Sequence, residues 1–278
     1  TRRMQCTYGW DWTMRFVTCG IEKSCYLEFD NQPRATDTYV YTDHLDRFGA
    51  QLVCDTHFAR YEKGLTYTIT LIDPQGNIVY SNTRYCEEHW HREYITVENP
   101  QLWYPVGYGA QPLYTLQITC GEEMLRHRVG IRTVRILQNQ DQPNTESYAL
   151  CEKLKNSDSG KDWDYNQTFS CFTPVINGEK IFCKGADWAP VEPFVSEVRK
   201  EKITKILELA VQMGLNMIRV WGGGMFETEH FYAECDRLGI MVNQDFLMAC
   251  GDYPEEEDWF VEALRKEAEY AAYALRNH

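Results

Sequence analysis

Polar and aromatic side chains recur at three places in the C-terminal third of the sequence, each beside a short apolar run that predicts a strand. They are segments 184–188 (Lys-Gly-Ala-Asp-Trp), 219–224 (Arg-Val-Trp-Gly-Gly-Gly) and 244–245 (Gln-Asp). In β/α folds, reacting groups lie at the carboxyl ends of the strands. Carboxylates there accept hydrogen bonds from hydroxyl groups, and indole rings offer flat faces for stacking on C–H surfaces. The pattern indicates a sugar pocket; packing and capping of strand ends is the open alternative.

The residues around the second stretch, 219–224, limit the kinds of site that this region could form. The triple glycine 222–224 permits close backbone approach, but it lacks the G-x-G-x-x-G spacing or following Lys of a phosphate loop. Glu227 and Asp245 form a conceivable general acid and base, although the sequence does not fix their separation. For Arg219 we expect a buried charge that pairs with carboxylates and holds the strand end.

Two other groups of residues are weaker candidates for a functional site. His89-Trp90-His91 places two imidazoles on one face of a strand, but no third ligand lies within reach in the sequence. We therefore expect an exposed strand face there, with no metal and no cofactor. The run from Glu255 to Asp258 is interpreted as a solvated helix start, because acidic side chains are favourable at a helix N-terminus.

Composition excludes some classes of function. The 278 residues carry 28 basic and 41 acidic side chains, a net charge of −13, which argues against a binder of nucleic-acid backbones. No apolar run reaches the roughly 18–20 residues of a membrane-spanning helix. The 11 cysteines are scattered without C-x-x-C spacing, so we expect buried free thiols. The 8 Trp, 18 Tyr and 12 Phe suit both β-rich cores and carbohydrate sites.

The pattern of the chain divides it into four segments. Residues 1–30 resemble the last strands of an element whose beginning is missing. Residues 31–137 read as short strands with turns, as in Leu65–Leu71, where apolar residues alternate with threonines, and they predict an antiparallel sandwich. The polar, turn-rich residues 138–167 predict a linker or long loop. Residues 168–278 alternate strands with helices, which predicts parallel βα units.

The elements of this last segment can be placed more closely. Strands are predicted at 181–183, 216–221 and 240–246. Helices are predicted over 203–213, ending at Gly214, over 229–238, and over a last stretch carrying apolar residues from Val261 to Leu275. Three βα units cannot close a barrel, so we expect more of the same fold beyond His278.

Longer motifs surround the three candidate stretches. Residues 182–190 read Phe-Cys-Lys-Gly-Ala-Asp-Trp-Ala-Pro, residues 214–227 read Gly-Leu-Asn-Met-Ile-Arg-Val-Trp-Gly-Gly-Gly-Met-Phe-Glu, and Gln244-Asp245-Phe246 follows. Together they resemble the β-mannosidases of glycoside hydrolase family 2. Upstream, Gly9-Trp10-Asp11-Trp12 resembles the end of that family's sugar-binding jelly-roll domain, and residues 99–109 resemble part of its immunoglobulin-like sandwich.

The resemblance implies a mixed β and α/β fold. Its parts would be the C-terminal end of a jelly-roll domain over 1–30, an immunoglobulin-like β-sandwich over 31–137 and, after the linker, the first βα units of a (β/α)8 TIM barrel over 168–278. It also implies a retaining exo-hydrolase of terminal non-reducing β-D-mannose, whose partner is a glycan and neither nucleic acid nor a membrane. Both catalytic glutamates are expected beyond His278, so we expect the isolated chain to be inactive.

Substrate contacts follow from the same resemblance. Asp11, Trp12 and Trp221 are the leading candidates, and Asp187, Trp188, Glu227 and Asp245 are expected in contact with the sugar or just behind it. Two alternatives stay open: another family-2 exo-glycosidase of β-galactosidase, β-glucuronidase or exo-glucosaminidase type, or a non-catalytic carbohydrate-binding protein.

Overall fold

The computed structural model describes residues 3–18, 20–21, 25, 27, 33–60, 62–140, 142–155 and 172–278. The chain forms two compact units, one of residues 1–132 with 184–278 and one of residues 133–183. Most regular structure is β-sheet, with four α-helices among the described residues. No helix in these ranges is long and apolar enough to cross a membrane.

The larger unit contains ten strands and three helices within its described residues. The strands are β1 (Arg34–Leu45), β2 (Gly49–Ala59), β3 (Thr66–Ile72), β4 (Ile78–Tyr85), β5 (Trp90–Glu98), β6 (Tyr114–Cys120), β7 (Glu123–Val129), β11 (Gly185–Trp188), β12 (Met217–Val220) and β13 (Met241–Gln244). The helices are α2 (Lys200–Gln212), α3 (Glu229–Leu238) and α4 (Asp258–Leu275).

Strands β1 to β7 form two antiparallel sheets, in the orders β1-β2-β5 and β4-β3-β6-β7. The predicted alternation is confirmed in β3, where Tyr67, Ile69 and Leu71 are buried. These side chains share one hydrophobic core with residues of the other sheet, among them Leu52 and Ile95. Period-2 patterning thus gives each sheet one apolar face, and the two faces cover each other.

The other sheet of this unit is parallel, in the order β11-β12-β13. Helix α3 spans the predicted residues and is capped by Gly239, whose φ of +77° is a left-handed conformation that glycine adopts without strain. The strand predicted at 181–183 is wrong: β11 begins at Gly185, and Phe182 is 74% exposed. Pairing with Met217 sets the start of the strand, and a Cβ at Gly185 would lie 2.7 Å from the Met217 carbonyl oxygen.

The N-terminal segment has a different local structure from the one expected. Its described part, residues 3–18, contains a 3₁₀ turn at Gln5–Tyr8 and an isolated bridge between Trp10 and Thr13 in place of strands. The segment hydrogen-bonds to the β/α part, where the Cys6 amide donates to the Gly223 carbonyl at 2.9 Å. Much of 19–32 lies outside the described residues.

Within its described residues, the smaller unit has a three-stranded antiparallel sheet and one helix. Its strands are β8 (Val134–Leu137), β9 (Thr173–Ile176) and β10 (Glu179–Lys180), in the order β10-β9-β8. Helix α1 (Glu146–Lys155) occupies the middle of the segment interpreted as a linker. The Thr145 side chain accepts a hydrogen bond from the Tyr148 amide, which caps a helix that the polar composition concealed. Residues 156–167, which complete that segment, and residues 168–171 after it are outside the description.

The cysteines within the described ranges are free thiols, as expected, but the expected burial is wrong for Cys25 and Cys250, which are exposed, and Cys151 and Cys183 are half-buried. Five are buried, namely Cys6, Cys54, Cys86, Cys120 and Cys235. The pKa of the Cys54 thiol is raised to about 12, because the effect of burial outweighs the opposite effect of a hydrogen bond with Thr56. These buried thiols therefore act as small apolar side chains.

Candidate functional site

The register of the parallel sheet places candidate residues side by side. Asp187 in β11 pairs with Arg219 in β12, and Val220 pairs with Gln244 in β13. Asp245 follows directly, and its amide donates to the Val220 carbonyl at 3.0 Å. All three strands run in the same direction, so their carboxyl ends meet at one edge of the sheet. This edge brings together the three stretches that the sequence singled out.

Arg219 links the two aspartates of this edge. Its Nη2 donates to Asp245 Oδ2 at 2.6 Å and its Nε to Asp245 Oδ1 at 3.2 Å, while Nη1 donates to Asp187 Oδ1 at 3.4 Å. The hydrogen bond to Asp245 raises the pKa of the guanidinium. The expected pairing is correct, but the expected burial is wrong, because the Arg219 side chain is 45% exposed. The ends of all three strands carry charge that solvent can reach.

Asp245 also holds the triple-glycine turn. The Gly222 amide donates to Asp245 Oδ2 at 3.1 Å, so one carboxylate oxygen joins the turn to Arg219. A Cβ on Gly222 would lie 2.4 Å from the Met248 carbonyl oxygen and 2.6 Å from that of Phe246. Glycine is required here because two backbone segments pass too closely for a side chain.

Trp221 lies between two other tryptophans. Its ring centroid is 5.0 Å from that of Trp10 and 6.1 Å from that of Trp12, and both pairs are edge-to-face. Trp12 is 50% exposed and Asp11 is also exposed, at the tip of the turn closed by the Trp10–Thr13 bridge. The structure therefore joins three leading candidates from opposite ends of the chain. Trp10, which sequence reasoning did not select, shares this cluster; its signal was the Trp-Asp-Trp spacing.

Trp188 and Glu227 occupy a different environment. Trp188 is only 5% exposed and its ring packs against Phe231 at 4.8 Å. Its Nε1 donates to Glu227 Oε1 at 3.0 Å, and Glu227 is itself buried. The Tyr232 hydroxyl accepts from the Glu227 amide and donates to Gln244 Oε1 at 2.6 Å. In this arrangement the Trp188 indole lies in the core, and its polar edge is bound to Glu227.

The His89-Trp90-His91 motif lies apart from this cluster along the chain, at the start of β5. His91 Nε2 is 3.5 Å from Glu93 Oε2, and Glu93 is buried beneath hydrogen bonds from Arg84, Asn82 and Tyr80. Among the residues that the structure describes, no group of three His, Cys, Asp or Glu side chains is placed to hold a metal ion.

Comparisons with known proteins agree with this fold. The family model for glycosyl hydrolases family 2 matches residues 34–132. Beta-mannosidase B of Emericella nidulans is 32% identical over all of this chain and 30% of its own length. The crystal structure of β-D-mannosidase from Dictyoglomus thermophilum has a TM-score of 0.83 and 31% identity, over all of this chain and 32% of that one. A β-glucuronidase of Parabacteroides merdae, with a TM-score of 0.67 over 89% of this chain and 28% of that one, is 15% identical and shows a shared fold alone.

These findings confirm the resemblance that the motifs indicated: this chain matches the model of glycosyl hydrolases family 2, a family of glycosidases, over residues 34–132. The chain is β-mannosidase-like in sequence and in fold. The chain spans about 30% of the length of the curated relatives that it matches.

Proposed function

We propose that the protein containing this chain is a retaining exo-glycosidase that removes terminal β-linked mannose from a glycan. The observation that carries the proposal is the cluster at the carboxyl edge of the parallel sheet, where Trp221 meets Trp12 beside the exposed charges of Asp187 and Arg219. Indole faces and fixed carboxylates are the groups that bind a sugar ring. The likeness to β-mannosidases over the whole chain supports mannose as that sugar.

The proposal includes an assignment of domains. We take residues 1–30 as the end of a jelly-roll sugar-binding domain, 31–137 as an immunoglobulin-like sandwich and 168–278 as the first part of a TIM barrel, with 138–167 between them. The two antiparallel sheets around one core and the parallel β/α arrangement support this assignment. A barrel of this kind has its reactive groups at the edge where Trp221 and Asp245 lie.

Within the proposed pocket the candidate residues have different tasks. Asp11, Trp12 and Trp221 contact the sugar, since they are at least partly open to solvent and lie together. Asp187 and Asp245 accept hydrogen bonds from sugar hydroxyls, or they hold the strand ends through their ion pairs with Arg219. Trp188 and Glu227 support the pocket from the core side, because their polar atoms are bound to each other.

The chemistry of the proposed reaction requires two carboxyl groups about 5–5.5 Å apart, one as nucleophile and one as acid and base. We propose that both glutamates lie beyond His278, as the family resemblance implies. The residues of this chain bind and orient the sugar in that scheme, and the isolated chain is expected to show no hydrolysis of an aryl β-mannoside above a buffer blank.

The test is a substrate panel on the full-length protein. We expect 4-nitrophenyl β-mannoside to be hydrolysed with a far higher kcat/KM than the corresponding β-galactoside or β-glucuronide. Trp221→Ala should lower that kcat/KM roughly thirtyfold, because a stacked ring contact is lost in the transition state. This factor corresponds to about 2 kcal/mol of transition-state binding. Trp259→Ala, on the exposed face of α4, is the matched control. Preference for another glycoside would favour a different family-2 activity, and sugar binding without turnover would favour a carbohydrate-binding protein.

A further inference from the structure

We propose that Gly223 and Trp10 are positioning residues that fix the angle of the Trp221 indole in the pocket. The inference rests on the proposed function, because Trp221 is there assigned to the sugar. It goes further in naming two residues that do not touch the substrate and yet decide how the indole face is presented.

The first observation concerns the space over Gly223. A Cβ built on this glycine would lie 2.0 Å from Cη2 of Trp221 and 2.3 Å from its Cζ2 and Cζ3. The six-membered part of the indole is therefore folded back over the Gly223 backbone, in the volume that any other residue would fill. Only glycine at 223 permits this rotamer, since contacts under 3 Å force the side chain to move.

The second observation concerns the edge contact from Trp10. The two ring planes meet at 67° with centroids 5.0 Å apart, the edge-to-face geometry that aromatic pairs prefer. Trp10 is itself held by its bridge to Thr13, through hydrogen bonds of 3.1 and 3.4 Å. The Trp221 indole thus has backbone beneath it and an anchored ring at its side.

A third contact ties the two supports together. The Cys6 amide donates to the Gly223 carbonyl at 2.9 Å, so the segment that carries Trp10 is bound to the residue beneath the indole. The same N-terminal segment presents Asp11 and Trp12, which the proposed function assigns to the sugar. One hydrogen-bonded unit therefore sets the relative positions of Trp221 and Trp12, whose centroids are 6.1 Å apart.

The experiment uses Gly223→Ala and Trp10→Phe in the full-length protein, with near-UV circular dichroism and steady-state kinetics. The two indoles, with centroids 5.0 Å apart, couple their transitions, so Trp10→Phe and Trp221→Ala should each remove the same near-UV feature. Each positioning variant should lower kcat/KM for the aryl β-mannoside by about threefold to tenfold, the range expected for one aromatic contact. Gly251→Ala, whose Cβ would meet only the Ala249 carbonyl oxygen at an ordinary 3.4 Å, and Trp90→Phe in β5 are matched controls that should change neither kcat/KM nor this feature.

A double-mutant cycle separates positioning from a general loss of structure. If both residues act through Trp221, their effects on kcat/KM should disappear in the Trp221→Ala background, whereas a merely structural role would persist there. Full effects in that background, or unchanged near-UV spectra, would overturn the inference. If Gly223→Ala does not fold, Trp10→Phe alone decides. If Trp221→Ala itself leaves kcat/KM unchanged, the proposed role of Trp221 fails, while the spectra still report whether Trp10 and Gly223 orient its ring.

Discussion

Trp188 and Trp221 stand at the ends of neighbouring strands, yet their indoles have opposite environments. Trp221 is partly exposed between Trp10 and Trp12, whereas Trp188 is buried against Phe231 with its Nε1 bound to Glu227. A buried polar edge must be hydrogen-bonded, since leaving it or its partner unpaired costs about 1–3 kcal/mol. Trp188 therefore stabilises the fold, whereas the Trp221 indole is partly open to solvent.

Trp188→Phe should lower the free energy of unfolding by about 1–3 kcal/mol, because it removes the donor to Glu227 and leaves unfilled volume in the core. Urea denaturation followed by circular dichroism measures the change. Trp259→Phe, on the exposed surface of α4, should stay within about 0.5 kcal/mol of the unaltered protein. A large loss of kcat/KM at unchanged stability would instead assign Trp188 to the sugar.

At the scale of elements, helix α2 shows how the spacing of apolar residues places them on one buried face. Ile203, Leu207 and Ala210 recur at helical spacing and are buried in one core with Ile218 of β12 and Phe231 of α3. Leu209 lies on the opposite face and is 47% exposed. The helix forms because one apolar stripe is covered by the parallel sheet and its neighbouring helix.

Leu207→Ala should therefore destabilise the protein by about 2–5 kcal/mol, the usual range for a buried leucine. Leu209→Ala, the same change two residues further along α2, should cost less than about 1 kcal/mol. Thermal or urea unfolding of both variants tests the difference, and equal losses would contradict the assigned faces of the helix.

The whole molecule depends on contacts that join the antiparallel sheets to the β/α part. The side chain of Asn277 accepts from the Val40 amide at 3.0 Å and donates to the Thr38 carbonyl at 2.7 Å, both in β1. Within the β/α part itself, the neighbouring His278 lies 2.7 Å from Asp236 and 3.3 Å from Glu229, both in α3. Trp103 adds another link, since its Nε1 donates to the Asp236 carbonyl at 2.7 Å. Residues far apart in sequence thus hold the antiparallel sheets against the β/α part.

Burial opposes protonation of His278, but hydrogen bonds with Asp236 and Glu229 outweigh it and raise the pKa of the imidazole to about 9. A pKa above the ordinary value of about 6.5 means that the contribution to stability is complete below that pH and is lost as the pH rises through 9. We expect the difference in unfolding free energy between the unaltered protein and His278→Gln to be larger at pH 6 than at about pH 9.5. A difference that does not change with pH would contradict a charged His278.

The sequence by itself determined several of the local elements and indicated the family. Period-2 alternation predicted β3, helical spacing with a following glycine predicted α2 and α3, and the motifs around Trp221 indicated family 2 from residue types and their order alone. These signals are readable because they depend on neighbouring residues along the chain. The short helix α1 was missed because its residues have weak apolar periodicity within a polar, turn-rich stretch.

Only the tertiary structure decided which candidates share a site. The start of β11 at Gly185 depends on its pairing with β12, and the burial of Trp188 depends on Phe231 and Glu227. The contact of Trp10 with Trp221 joins opposite ends of the chain, and no pattern within either segment reveals it. Side-chain type and spacing are local properties, whereas burial and the angle between two rings depend on which distant segments fold against each other.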